Sequence, residues 1–259
     1  MPEQKVPILS ELEFKNYILV SQNDIEGDEE LIYSPNFSDL YSLYRKVRIE
    51  RSIAVLEFGS GWSTFALAKA LDENRQIYSN FVNEKIRHPN PFCLMTIDAS
   101  KKFSDTAINR IPHNLLEDRI KPIVSDVRMA TVNGQVCHLF DSVPPFTADF
   151  IYLDGPDCDQ VQGEVNGMSV GFYRLGNKHY GLPMAADLIR LEPFFWPGTS
   201  IVTDGRGANA YFLRSNFKRN WTYFYDEKVD QHIFNLKEAP FGKISKALLE
   251  LKTIKWEKI

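Results

Sequence analysis

The stretch Ile53-Ala54-Val55-Leu56-Glu57-Phe58-Gly59-Ser60-Gly61-Trp62-Ser63-Thr64 decides how this chain is read. IAVLEF (53 to 58) is short, almost wholly apolar and partly β-branched, the pattern of a strand buried on both faces of a parallel sheet. STFALAKALDEN (63 to 74) changes to helical spacing, with Ser63 or Thr64 positioned to cap it. Between them, Gly59 and Gly61 let the chain turn tightly and let a ligand approach the backbone, while the helix start presents unpaired N–H groups. Two glycines alone are a weak signal, since a plain strand-to-helix turn also uses them.

The same alternation continues outward. Residues 92 to 98 (FCLMTID), 120 to 126 (IKPIVSD), 148 to 154 (ADFIYLD) and 199 to 204 (TSIVTD) read as further buried strands. Residues 100 to 111, 184 to 195 and 208 to 220 read as helices between and after them. Strands alternating with helices imply βαβ units and a parallel sheet. Asn133-Gly134, between two β-rich arms, marks an inserted hairpin within 127 to 147. Residues 221 to 236 form two more arms around a polar turn, an antiparallel C-terminal hairpin. The expectation is a single α/β domain, 51 to 259, with a doubly wound, mostly parallel sheet of seven strands. Ahead of it, 1 to 50 is an N-terminal extension. There, apolar residues from Leu40 to Val47 predict one amphipathic helix over about 38 to 50, capped by Ser38. Tyr41 and Tyr44 would pack on the sheet, and residues 1 to 33 say little.

Composition narrows the function. With 259 residues, 44% hydrophobic and 25% charged, the chain is an ordinary globular one. Thirty basic against 34 acidic residues leave a net charge of -4, so no overall basic field would gather a nucleic acid. Cys93, Cys137 and Cys158 are odd in number and widely spaced, which fits neither a disulfide framework nor a zinc site. The first thirty residues lack an apolar signal core, and no apolar run approaches the ~18 residues of a spanning helix. A cytoplasmic protein without nucleic-acid or membrane partners is expected; a homo-oligomer is compatible with all of this.

The order Glu57-Phe58-Gly59-Ser60-Gly61, then Ser63-Thr64, resembles motif I of class I S-adenosylmethionine-dependent methyltransferases, over roughly residues 35 to 236. The resemblance implies a Rossmann-like fold in which the acid and the glycine turn hold the amino-acid end of S-adenosylmethionine. It also implies that Asp98, with Ala99 beside it, holds the ribose hydroxyls and that Asp126 meets the adenine. Glu57 and Asp98 are 41 residues apart, against ~20 in a dinucleotide fold, an excess that falls in residues 75 to 91. Each acid alone reads as well as a helix cap. Three at successive strand ends favour a site.

HYGLPMAADLIRLEPFFWPGTSIVTDG (179 to 205) is similar to a stretch of small-molecule O-methyltransferases, through His179, Tyr180, Asp187, Leu188, Pro197, Gly198 and Asp204. The likeness makes His179 the candidate base, with Asp154 its competitor for that role and a further contact to the cofactor. A divalent metal, if used, would take Asp154 and Asp204. The asparagine expected as a further ligand is Gly205; Asp157 and Asp159 could replace it or merely cap a loop. Residues 157 to 178 form a lid-like loop, in which Met168, Phe172 and Tyr173 could cover an acceptor. Arg174 and Arg206 could grip an anion or stand in solvent. The activity implied is methyl transfer to a hydroxyl of a small molecule such as a sugar or polyol. Two readings stand beside it: a nucleotide-dependent oxidoreductase, against which the missing third glycine counts, and a non-catalytic nucleoside-binding module.

Overall fold

The computed structural model describes residues 6–22, 34–169, 174–175, 178–179 and 184–253. Its helices are α1 (Glu11–Gln22), α2 (Phe37–Ile49), α3 (Trp62–Lys85), α4 (Lys101–Asn109), α5 (Asp187–Leu191), α6 (Gly207–Asn216) and α7 (Lys243–Thr253). The strands β1 (Ala54–Phe58), β2 (Cys93–Asp98), β3 (Ile120–Val124), β6 (Phe150–Leu153), β11 (Ser200–Thr203), β12 (Trp221–Asp226) and β13 (Gln231–Leu236) form one sheet, in the order β12-β13-β11-β6-β1-β2-β3. The five strands from β11 to β3 run parallel, and β13 pairs antiparallel with both β11 and β12. The terminal hairpin therefore lays its second arm against the sheet and its first arm outermost. This is the doubly wound sheet that the strand–helix alternation implies, and the Rossmann-like fold that the resemblance implies.

The alternation of side chains divides the core. Val55, Leu94, Phe150 and Val202 face Leu43, Tyr44, Phe65 and Leu71 on the side of α1, α2 and α3. Their neighbours Leu56, Phe58, Ile97, Ile151 and Ile201 face the opposite layer, with Phe140, Leu188, Leu213 and Phe234. Each fully buried side chain of this size contributes about 1.5–3 kcal/mol, so both faces of β1 are committed to packing. The carboxyl ends of the strands are left for a ligand.

The hairpin of β4 (Val127–Val132) and β5 (Gln135–Phe140) turns at Asn133 and Gly134, both with positive φ, as a two-residue turn of this kind requires. It does not join the main sheet. With β7 (Val161–Gln162) and β10 (Met184–Ala185) it builds a second sheet in the order β10-β5-β4-β7.

Several elements depart from the sequence reading. The extension carries a further helix, α1, whose Phe14 and Ile18 are fully buried, Phe14 stacking on Tyr44 at 4.8 Å. Ser38 does not cap α2; Asn36 is its first flanking residue, and Ser38 donates to Glu11 instead. Helix α3 runs eleven residues beyond Asn74, which accounts for much of the spacing between Glu57 and Asp98. The helix read over 184 to 195 is one and a half turns of α5 and a 3₁₀ turn at Glu192–Phe194, because Met184 and Ala185 pair with β5 and Pro193 removes a donor. Helix α7, unread in the sequence, buries Leu248 and Leu251. No helix of the described residues is long and apolar enough to cross a membrane.

Candidate functional site

The strand order reverses between β1 and β6, and in open α/β sheets the crevice at that point takes the ligand. A cavity of about 390 Å³ opens there, within the range of small-molecule sites. Its floor is a contact between two glycines. Gly59 has φ +91, and a Cβ on it would lie 2.8 Å from the Gly155 nitrogen; a Cβ on Gly155 would lie 2.5 Å from the Gly59 Cα. Backbone meets backbone, so neither position admits a side chain. Gly59 donates to the Ile97 carbonyl at 2.8 Å and Asp154 N–H to the Phe58 carbonyl at 2.9 Å, which continues the sheet up to the turn.

Asp98, buried at the end of β2, holds the turn from the other side. Its Oδ2 accepts from Ser60 N–H at 2.6 Å and its Oδ1 from Ser100 N–H at 2.7 Å. Burial pushes its pKa up, while those two amides favour the ionised form. Each oxygen keeps a second lone pair for a ligand. Gly59, Ser60, Gly61, Ser63, Asp98 and Asp154 all line the cavity.

Glu57 does not line it. Fully buried behind the turn, its Oε1 accepts from Ser63 Oγ at 2.6 Å and its Oε2 from Thr64 Oγ1 at 2.7 Å. Burial pushes its pKa to about 7 against those hydroxyls. Thr64 Oγ1 in turn accepts from Gly61 N–H at 3.0 Å, so Glu57 pins the first turn of α3. Thr64 thus caps from inside the helix, with Gly61 as its flanking residue. Phe58 and Ala99 pack in the core of the opposite layer. Asp126 stands apart from the cavity, its side chain 59% exposed and 4.0 Å from Arg128.

Asp154 and Asp204 come together at the ends of β6 and β11, and a guanidinium joins them. Arg206 Nε lies 3.1 Å from Asp204 Oδ2, and its Nη2 lies 3.7 Å from Asp154 Oδ1. The same group donates to the carbonyls of Asp154, at 2.5 Å, and Pro156, at 3.1 Å. Burial and the neighbouring Asp204 push the Asp154 carboxyl well above the usual carboxylate range. At Gly205, a side chain would run into the Asp230 carboxylate. A divalent metal does not fit this arrangement, since a cation of the chain itself already sits against both candidate ligands. Among the described residues, no three His, Cys, Asp or Glu are grouped to hold a metal. Asp204 does not line the cavity; Asp154, Asp157 and Arg206 do.

His179 lies in β9 (Lys178–His179), which pairs with β8 (Arg174–Leu175). The side chains of Arg174 and His179, and all of Phe172, Tyr173 and Tyr180, lie outside the described residues. Met168 is exposed. Asp187 serves the hairpin, accepting from Phe140 N–H at 3.3 Å and from Arg190 at 3.0 Å. Among the walls that the sequence reading missed are Asp39, Trp62, Tyr152 and Arg110. Trp62, beside the second glycine, carried a signal by position; Arg110 carried one by helical spacing from Phe103 and Thr106. Asp39 and Tyr152 carried none.

No protein-family model matches the chain, and no curated protein matches it. Among solved structures, an O-methyltransferase of Bacillus cereus in complex with SAH is similar at 14% identity and TM-score 0.42, covering 88% of this chain and 100% of its own. An O-methyltransferase of Streptomyces achromogenes in complex with SAM shares 12%, TM-score 0.43, covering 89% and 100%. An SAH-bound methyltransferase of Podospora anserina shares 12%, TM-score 0.44, covering 91% and 99%. At these identities and scores, the reading of the site rests on the residues of this chain.

Proposed function

We propose that this chain transfers a methyl group from S-adenosylmethionine to a hydroxyl oxygen of a small molecule. One observation carries the reading: at the switch point, Asp98 and the Gly59–Gly61 turn face one cavity, the acid already oriented by Ser60 and Ser100 N–H. A carboxylate so held accepts two ribose hydroxyls, and the first turn of α3 offers N–H groups to a carboxylate. Thr64, where a dinucleotide turn wants its third glycine, is instead tied to Glu57 and Gly61.

The cofactor would supply an electrophilic methyl on a sulfonium. The chain's own residues align the acceptor, exclude water and take up the hydroxyl proton. Asp154 lines the cavity above Gly155 and is our candidate for the proton. His179 is the alternative. Arg206 holds Asp154 in place and opposes the upward push that burial and Asp204 give its pKa, which favours the carboxylate form that a base needs. The proposed acceptor is a sugar or other polyol, whose hydroxyls suit a wall with Asp39, Asp154 and Asp157.

Calorimetry with S-adenosylmethionine, S-adenosylhomocysteine and NAD tests the cofactor. The first two should bind and NAD should not; silence from all three removes the reading. Labelled methyl transfer into pooled sugars and polyols then tests the acceptor, and loss of turnover in Asp154→Asn or His179→Ala, with cofactor affinity unchanged, tells the two bases apart.

A further inference from the structure

Arg110 follows α4 and lies on the face that Phe103 and Thr106 also present to the cavity, three and four residues apart along the helix. The residue is only 6% exposed. Its guanidinium sits over the Trp62 ring, 4.3 Å from the centroid. Among the described residues it makes no ion pair and no hydrogen bond, and Trp62 is its one partner. The other cation of the cavity, Arg206, is by contrast tied to two carboxylates and two carbonyls. Burial lowers the pKa of Arg110, and no carboxylate opposes the shift.

An arginine is almost never buried without a counter-charge, because removing its charge from water is costly. Stacking on an indole returns only part of that cost. It also fixes the plane of the guanidinium and leaves its N–H edge free. Arg110 lines the same cavity as Asp98 and the glycine turn. Trp62 opens α3, and the N-terminal end of a helix dipole favours negative charge as well.

We propose that Trp62 and Arg110 form an anion subsite of this cavity, which receives a carboxylate or phosphate group of the bound ligand. A planar guanidinium suits either group through two parallel hydrogen bonds. The assignment names what the ligand of the proposed methyl-transfer site must carry, and to that extent rests on that reading. Two sources offer the chemistry: the carboxylate of the cofactor's amino-acid part, or an acidic group on the acceptor.

The test is calorimetry on the full chain, Arg110→Met and Arg110→Lys, with three probes: inorganic phosphate, S-adenosylhomocysteine, and 5′-methylthioadenosine, which lacks the amino-acid part. A cofactor source predicts at least tenfold weaker S-adenosylhomocysteine binding in Arg110→Met with 5′-methylthioadenosine unchanged. An acceptor source predicts unchanged S-adenosylhomocysteine and phosphate binding that is lost in Arg110→Met. In both cases Arg110→Lys should fall between, since it keeps the charge without the fork; its near-native circular dichroism guards against a folding defect. Equal affinity of all three proteins for phosphate and for S-adenosylhomocysteine overturns the subsite. Phosphate binding that depends on Arg110, with no S-adenosylhomocysteine binding to the parent, would keep the subsite and remove the methyltransferase reading.

Discussion

The two edges of the main sheet treat charge in opposite ways. At the edge where β1 and β6 begin, Asp149 accepts from Ile53 N–H at 2.9 Å and Ala54 N–H at 2.8 Å, and Lys252 from α7 reaches it at 3.2 Å. Lys252 also donates to the Gly198 carbonyl at 2.8 Å, closing the C-terminal helix onto the sheet. Asp149 and Glu50 there both face Lys252. At the opposite edge, Asp98 and Asp154 carry raised pKa values, and Arg110 meets no carboxylate among the described residues. Perturbed groups gathered in a cleft are the mark of a working site, whereas matched pairs hold a fold together. The difference separates stability from binding within one sheet.

Breaking the paired edge should have the largest effect. Asp149→Ala removes the nearer carboxylate of Lys252 and strands two strand N–H groups, so unfolding free energy should fall by about 3–5 kcal/mol, read by chemical denaturation, while the folded fraction keeps its cofactor affinity. A change of less than 1 kcal/mol would erase the contrast. Gly155→Ala strikes the floor of the open edge; forcing a methyl against Gly59 should cost about 1–3 kcal/mol and abolish cofactor binding as well. Asp98→Ala should weaken S-adenosylhomocysteine by about 1.5–3 kcal/mol in calorimetry, with a smaller loss of stability than Asp149→Ala. Arg206→Met leaves Asp154 and Asp204 without their cation. Millimolar Mg²⁺ should then raise the melting temperature of the variant, by the equivalent of about 1.4 kcal/mol at ten times its Kd, and leave the parent unmoved.

The smallest effect is one of slope. Burial raises the Glu57 carboxyl from the ordinary 4.5 of the unfolded chain to about 7 when folded, so between these values the folded state holds the extra proton. The contribution of Glu57 to stability therefore falls as pH rises through that window and is level above it. Glu57→Gln does not titrate, so its stability relative to the parent should climb from pH 4.5 to 7 and then stay constant. His138, with a pKa lowered to about 4 by burial, acts in the opposite sense in both proteins and cancels in the difference.

Much of this was legible from periodicity. The buried strands, the glycine turn and the Asn133-Gly134 hairpin announce themselves because each rests on local chemistry: apolar runs, small residues, positive φ. Helix α1 escaped because its interior face rests on two residues, Phe14 and Ile18, in a polar segment. Of the site, the sequence showed which acids end strands but not which way they face. Glu57 turned inward because Ser63 and Thr64 offer hydroxyls from behind, and Asp126 turned outward to Arg128. The bridge from Arg206 to Asp154 joins residues 52 positions apart, and no local pattern encodes it.

The Gly59–Gly155 contact sets a limit on how this protein can change. Where two bare backbones touch, the depth of the pocket is a property of the main chain, and no library randomised at either position can deepen, narrow or re-line it. Altered selectivity has to be sought in the rim, at Asp39, Trp62, Arg110 or Asp157, while the two floor positions behave as a single locked unit in any redesign.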